Sequence, residues 1–366
     1  MRVQFIQPAI TEEDIAEVTR VLRSGWLVLQ KETALFEQAF AEYLGVKEAV
    51  LVNSCTCALH LSLVLAGIKE GDEVITTPLS YVSTVSPILH CGARPVFVDV
   101  EETTGLLNPD LVEAAITPKT KAILPVHLYG QLADMRRLRK IADAHNLVVI
   151  EDAAHAIESQ RDGVRSGQRG FSASFSFHVA KNITAGTGGA LAMNDPVLAD
   201  RARILRRDGV RNVGNLRRME ALGFKYLATD YQAALLRNQL KRIDAQRAHR
   251  QKLYEGYAKV LDELGVAYNR VAPDSVHAFH MMVMWVDPKK RDHLRDELLR
   301  AEIETSIHYN PIHLEPFYRE HFAIPEGTFP VAERLGYSTI TLPLNAKMTE
   351  EELRYVTEHL RRLLGR

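Results

Sequence analysis

Between residues 49 and 193, short apolar runs alternate with stretches of helical periodicity, and no other feature constrains the fold as tightly. The runs are 49–52, 73–77, 95–100, 122–126, 147–150, 175–177 and 189–193. Several are rich in Val and Ile with little polar alternation, the mark of strands covered on both faces. Helical stretches at 58–66, 110–116 and 135–145 separate the earlier ones. This alternation predicts an α/β fold: a large, mostly parallel seven-stranded sheet domain flanked by helices.

The flanking sequence adds helices. Thr11-x-x-Asp14, a carboxylate variant of the capping box, opens a stretch to residue 24 in which Ile15, Val18 and Leu22 recur at helical spacing. A second stretch, 35–44, stops at Gly45. The pattern from 229 to 264 is longer than an ordinary globular helix and predicts a break or a span between domains. Residues 278–286 read as a strand, 292–301 as a helix, and Thr349-x-x-Glu352 caps a last helix ending at Gly365. We therefore expect a large domain over 1–240, including the N-terminal helices, and a smaller C-terminal α+β domain over 241–366.

Among the 366 residues, 45 Lys and Arg stand against 46 Asp and Glu, so the net charge of -1 gives no electrostatic reason for a nucleic-acid or anionic-membrane partner. Three cysteines cannot build a disulfide framework, and no run of 18 uncharged apolar residues occurs. The expectation is a soluble, cytoplasmic protein. Cys55-x-Cys57 with His60 lacks structural-zinc spacing, His308 and His313 do not favour one helical face, and neither HExxH nor a glycine-rich nucleotide loop is found, so no metal site is expected. Arg206, Arg207, Arg211, Arg217 and Arg218 form a local basic cluster, read as a solvated loop face or as a strip that meets a diphosphate.

Open α/β sheets bind ligands beyond the C-terminal ends of their strands, and three clusters fall there. Asn53-Ser54-Cys55-Thr56-Cys57-Ala58 joins a strand to a helix. Hydroxyls and free N–H groups at a helix start bind phosphate, although for this segment alone an N-cap by Ser54 or Thr56 is the simpler reading. Glu151-Asp152-Ala153-Ala154-His155 follows a strand, placing a carboxylate where it can hold a ring nitrogen protonated or merely cap a helix. In Ser174-Phe175-Ser176-Phe177-His178-Val179-Ala180-Lys181-Asn182 a lysine follows an apolar strand and precedes a glycine-rich turn. Partial desolvation there favours the neutral amine that forms a Schiff base.

Phosphate cup, carboxylate and lysine, in that order, are the parts pyridoxal 5′-phosphate (PLP) needs. The chain resembles the DegT/DnrJ/EryC1/StrS family of fold-type-I PLP-dependent sugar aminotransferases. The resemblance runs through SGWLVLQKETALFEQAFAEYLG, GDEVITTPLSYVST, GARPVFVDV, ITPKTKAILPVHLYGQLADM, VIEDAAHA, FSFHVAKNIT, GFKYLATDYQAAL and HYNPIHLEPFYRE. It implies that Lys181 carries the cofactor, Asp152 pairs with the ring nitrogen, His155 stands near the ring's phenolic oxygen and Tyr81 stacks on the ring. It places Thr56, Ser176 and the N–H groups near Cys55 on the phosphate. Lys225 stands where the family has an Asn that reaches the phosphate of the opposite subunit in a homodimer with shared sites. His308 and Tyr309 match a segment lining the sugar site. The implied reaction moves an amino group from an amino acid such as L-glutamate to a nucleotide-linked keto-sugar. FHVAKNIT is closer to enzymes acting at C4 of a UDP-linked sugar than to a C3 group with FYPGKNLG. The alternatives are a C3 aminotransferase on a dTDP- or UDP-linked sugar, a GDP-perosamine-type synthase, and a non-catalytic PLP-fold regulator. A sugar dehydratase of this fold has histidine in place of Lys181. Gln30-Lys31, Thr187 and Asp208 depart from the family pattern near the expected sugar site.

Overall fold

The computed structural model describes residues 1–365. Its principal sheet comprises β1 (Glu48–Val52), β2 (Glu73–Thr76), β3 (Arg94–Phe97), β4 (Thr120–Leu124), β5 (Val148–Asp152), β6 (Ser172–Ser176) and β7 (Gly189–Met193). The order across the sheet is β1-β7-β6-β5-β4-β2-β3. Only β7 runs antiparallel to its neighbours in this sheet, so the predicted mostly parallel α/β sheet is present. β6 begins earlier than its apolar run because Ser172 and Ser174 are buried polar residues; Ser174 meets Ser62 hydroxyl to hydroxyl at 3.3 Å.

Period-two alternation sends successive residues to opposite faces. Ala173, Phe175, Ala190 and Ala192 pack with α2 (Lys31–Leu44) and helix Asp230–Leu240, while Leu191 and Met193 pack with α3 (Cys55–Leu65) and helix Pro196–Leu205. Phe36 and Phe40 of α2 meet Phe177 and Phe175 edge-on at 5.5 and 5.1 Å between ring centroids, pinning the strand end that leads to Lys181. Before them, α1 (Glu12–Ser24) starts with the predicted capping box, Thr11 and Asp14 exchanging hydrogen bonds of 2.9 and 3.3 Å. Asp14 is buried because its carboxylate also takes Asn238 and Arg242, which ties α1 to the helix beneath it.

The long helical pattern divides at Lys241–Arg242 into Asp230–Leu240 and Ile243–Glu263. Ile243 still belongs to the first core, whereas Leu253, Tyr254 and Tyr257 join a second core with Met282, Met284, Leu342 and Leu360. That core backs a three-stranded antiparallel sheet of Ala267–Tyr268, Met282–Trp285 and Thr339–Leu342. Val3 also packs there, bonded to the Glu302 carbonyl at 2.9 Å, so the first residues of the chain lie against the smaller core. The strand read at 278–286 covers only Met282–Trp285. Residues before it turn toward the large sheet, where Ala278 N–H reaches the Gly130 carbonyl at 2.7 Å and Met281 N–H that of Tyr129 at 3.2 Å. No helix among the described residues is long and apolar enough to cross a membrane.

The basic cluster divides. Arg206 is buried against Glu37 and the Leu51 carbonyl, and Arg211 pairs with Asp200 and Glu220. Arg217 and Arg218 stand exposed on a hairpin, Val210–Val213 with Leu216–Met219, in a region the helical pattern did not announce.

Candidate active site

Parallel strands bring their C-terminal ends to one side of the sheet, and that side opens into a cavity of about 550 Å³, an ordinary size for a cofactor site. Cys55, Thr56, Tyr81, Asp152, His155, Ser176, Lys181, His308 and Tyr309 all line it. Lys225 does not: its side chain is exposed and pairs with Asp208 at 2.9 Å.

At the end of β1, Ser54 caps α3 by accepting from the Cys57 N–H at 3.2 Å, so this part of the plain structural reading also holds. The positive end of the helix still faces the cavity through Cys55 and Thr56. Burial pushes the Cys55 thiol up, so it is not a thiolate. Gly189, the first residue of β7, lies against this turn: a Cβ there would stand 2.3 Å from the Ser54 carbonyl carbon and 2.4 Å from the Cys55 nitrogen. Only glycine lets β7 close the back of the cup.

Asp152 ends β5. Its carboxylate accepts from the Thr84 hydroxyl at 2.8 Å and the Ala154 N–H at 3.1 Å, both neutral donors. Burial raises its pKa despite these bonds, so the carboxylate is poised to gain a positive or protonated partner. Lys181 lies five residues beyond the end of β6, its N–H held by the His178 carbonyl at 2.9 Å. Burial lowers its pKa to about 8, with Cys55 and Asp152 acting in the opposite direction.

His155 accepts from the Tyr129 N–H at its Nδ1 (3.3 Å), which leaves the proton on Nε2, 3.1 Å from the Tyr309 hydroxyl. Desolvation holds this ring neutral, its pKa well below the ordinary value. Tyr309 in turn lies 6.0 Å from Tyr81 between ring centroids, and His308 is fixed by Thr341 at 2.9 Å. Thr84, Tyr129, Asn182 and His280 were not singled out from the sequence. Thr84 and Tyr129 act through residues distant in the chain; Asn182, next to Lys181, was a nearer signal. No cluster of metal-ligating side chains occurs among the described residues.

The site fits PLP on these grounds: a cup with hydroxyls and a helix start, closed by a glycine; a buried carboxylate lacking a cation; and a lysine of depressed pKa. Comparison with known proteins agrees. The DegT/DnrJ/EryC1/StrS aminotransferase family model matches residues 8–361. The spore coat polysaccharide biosynthesis protein SpsC of Bacillus subtilis is 40% identical over 97% of this chain and 95% of its own length. The solved structure of DesV from S. venezuelae, in complex with a ketimine intermediate, is 38% identical, with a TM-score of 0.94 over 100% of this chain and 99% of that one. A putative sugar aminotransferase, Spr1654 of Streptococcus pneumoniae in its PMP form, is 29% identical with a TM-score of 0.95, covering 100% and 99% of the two chains.

The fold and the relatives together define a PLP-dependent sugar aminotransferase. The chain belongs to the DegT/DnrJ/EryC1/StrS aminotransferase family.

Proposed function

We propose that this transaminase aminates a nucleotide-linked keto-sugar, at C4 of a UDP-linked substrate, with L-glutamate as donor. The observation that carries the reading is the single cavity in which Lys181, Asp152 and the start of α3 converge. The C4 assignment is supported by the FHVAKNIT motif that places His178 on the cavity wall.

PLP, when bound, supplies an electron sink for the transfer. In this reading the chain does the rest. Lys181 Nζ holds the cofactor and, once displaced by the amino donor, takes up and returns the proton at the reacting carbon. Asp152 keeps a negative charge opposite the ring nitrogen, oriented by Thr84 and the Ala154 N–H. Cys55 and Thr56 backbone N–H groups with the Thr56 and Ser176 hydroxyls bind the phosphate, Tyr81 covers the ring, and His155 donates beside its phenolic oxygen. His308 and Tyr309 line the sugar end of the cavity.

We propose further that the enzyme is a cytoplasmic homodimer, divided into domains at 1–240 and 241–366, whose Lys225 reaches the phosphate of the opposite subunit. Exposed Trp26, Leu216, Met219 and Leu222 support a second copy of the chain on this side. Screening the pyridoxamine form against nucleotide 4-keto and 3-keto sugars tests the substrate: a 4-keto UDP-sugar should react fastest, and preference for a 3-keto sugar would replace C4 by C3.

A further inference from the structure

Among the polar side-chain atoms of the cavity wall, His280 Nε2 and Arg250 Nη1 are buried without a hydrogen-bond partner among the described residues. The protonation of His280 follows from its neighbours. The Glu158 carboxylate and the Ala278 carbonyl can only accept, so the Asn182 amide turns its NH2 toward them, at 2.9 and 3.0 Å from the carboxylate and 3.3 Å from the carbonyl. Its oxygen then faces His280 Nδ1 at 3.1 Å. An amide oxygen also accepts only, so Nδ1 carries the proton and Nε2 is a bare lone pair. Arg250, 1% exposed, pairs with Glu158 at 2.5 Å and opposes the rise that burial gives this carboxyl's pKa. Desolvation, reinforced by Lys181, Arg250, His308 and His277, holds His280 neutral.

His155 lies 4.6 Å away between ring centroids with the opposite tautomer, its proton on Nε2. The cavity thus shows an acceptor and a donor imidazole side by side.

We propose that His280 Nε2 accepts a hydroxyl of the sugar substrate, and that Arg250, Glu158 and Asn182 are positioning residues that hold it in the acceptor tautomer. The proposal rests on the keto-sugar reading above. Of the two substrates, an amino acid offers carboxylate oxygens, which cannot donate, and one amino group, which is the reacting centre. A sugar offers O–H donors. A carboxylate placed against the bare nitrogen would set acceptor against acceptor, whereas a hydroxyl would satisfy a buried atom.

The test combines spectroscopy with half-reactions. In holoenzyme carrying 15N-labelled histidine, the His280 resonances, assigned by their loss in His280→Gln, should show a neutral ring with its proton on Nδ1 at pH 7. Asn182→Leu should release the lock and mix the tautomers. In single half-reactions His280→Phe should raise KM for the sugar about tenfold, the loss of one hydrogen bond, with a several-fold smaller effect on the L-glutamate half. His280→Gln, whose amide oxygen can accept, should recover part of it. A proton on Nε2, a doubly protonated ring, or equal losses in both halves would overturn the assignment. If the wild-type pyridoxamine form aminates no keto-sugar, the substrate reading itself falls.

Discussion

Lys181 and Lys225 lie in opposite surroundings. Lys181 is set in a cavity wall, where burial depresses its pKa to about 8. Lys225 is exposed at the outer edge and paired with Asp208. An exposed pair contributes little, whereas desolvation makes an amine available as a nucleophile. The carboxylates differ likewise: Asp208 has its lysine, while Asp152 accepts only from Thr84 and a backbone N–H. Lys181 and Asp152 instead line the cavity, where burial shifts both toward their neutral forms.

The most severe way to break that contrast is Lys181→Ala, which should retain the fold but show no measurable turnover and no covalently held cofactor. Lys225→Ala should keep the covalent cofactor. Next, Asp152→Asn removes the charge while keeping the shape. It should bind PLP yet slow the L-glutamate half-reaction by about 10²–10³, the range for losing one preorganised electrostatic group; wild-type rates would mean that another group partners the ring nitrogen.

Lys225 itself is tested by mixing subunits. If it serves the opposite subunit, a heterodimer of Lys181→Ala with Lys225→Glu contains one doubly damaged site and one intact site, so activity should partly return. If Lys225 acts within its own subunit, each site carries one lesion and none should return. The smallest effect is the pH dependence of cofactor capture by the apoprotein. A lysine of lowered pKa gains its neutral form as pH rises through about 8, so capture should level off above that point. A lysine with the ordinary value would leave the rate still climbing toward about 10.4.

All seven strands of the main sheet were legible because they are covered on both faces and therefore apolar; β6 reads short because its first residues include the buried polar Ser172 and Ser174. The cavity was legible wherever consecutive residues carry the chemistry, as at Asp152–His155 and Ser176–Lys181. The pairing of Glu158 with Arg250 was not, since 92 residues separate them and only the fold makes them neighbours. Nor was the turn at residues 277–281, whose apolar sequence extends the strand pattern but whose N–H groups bond to residues 129 and 130. The exposed hairpin at 210–219 escaped because its pairing leaves both strands facing solvent, with no buried stripe to read.

The chemistry of the cavity turns on one amine. Borohydride reduction of the holoenzyme followed by peptide mass mapping should place the pyridoxyl group on Lys181 alone. Recovery of the label on Lys225, or on any other lysine, would contradict the claim that burial in this cavity selects the reactive residue.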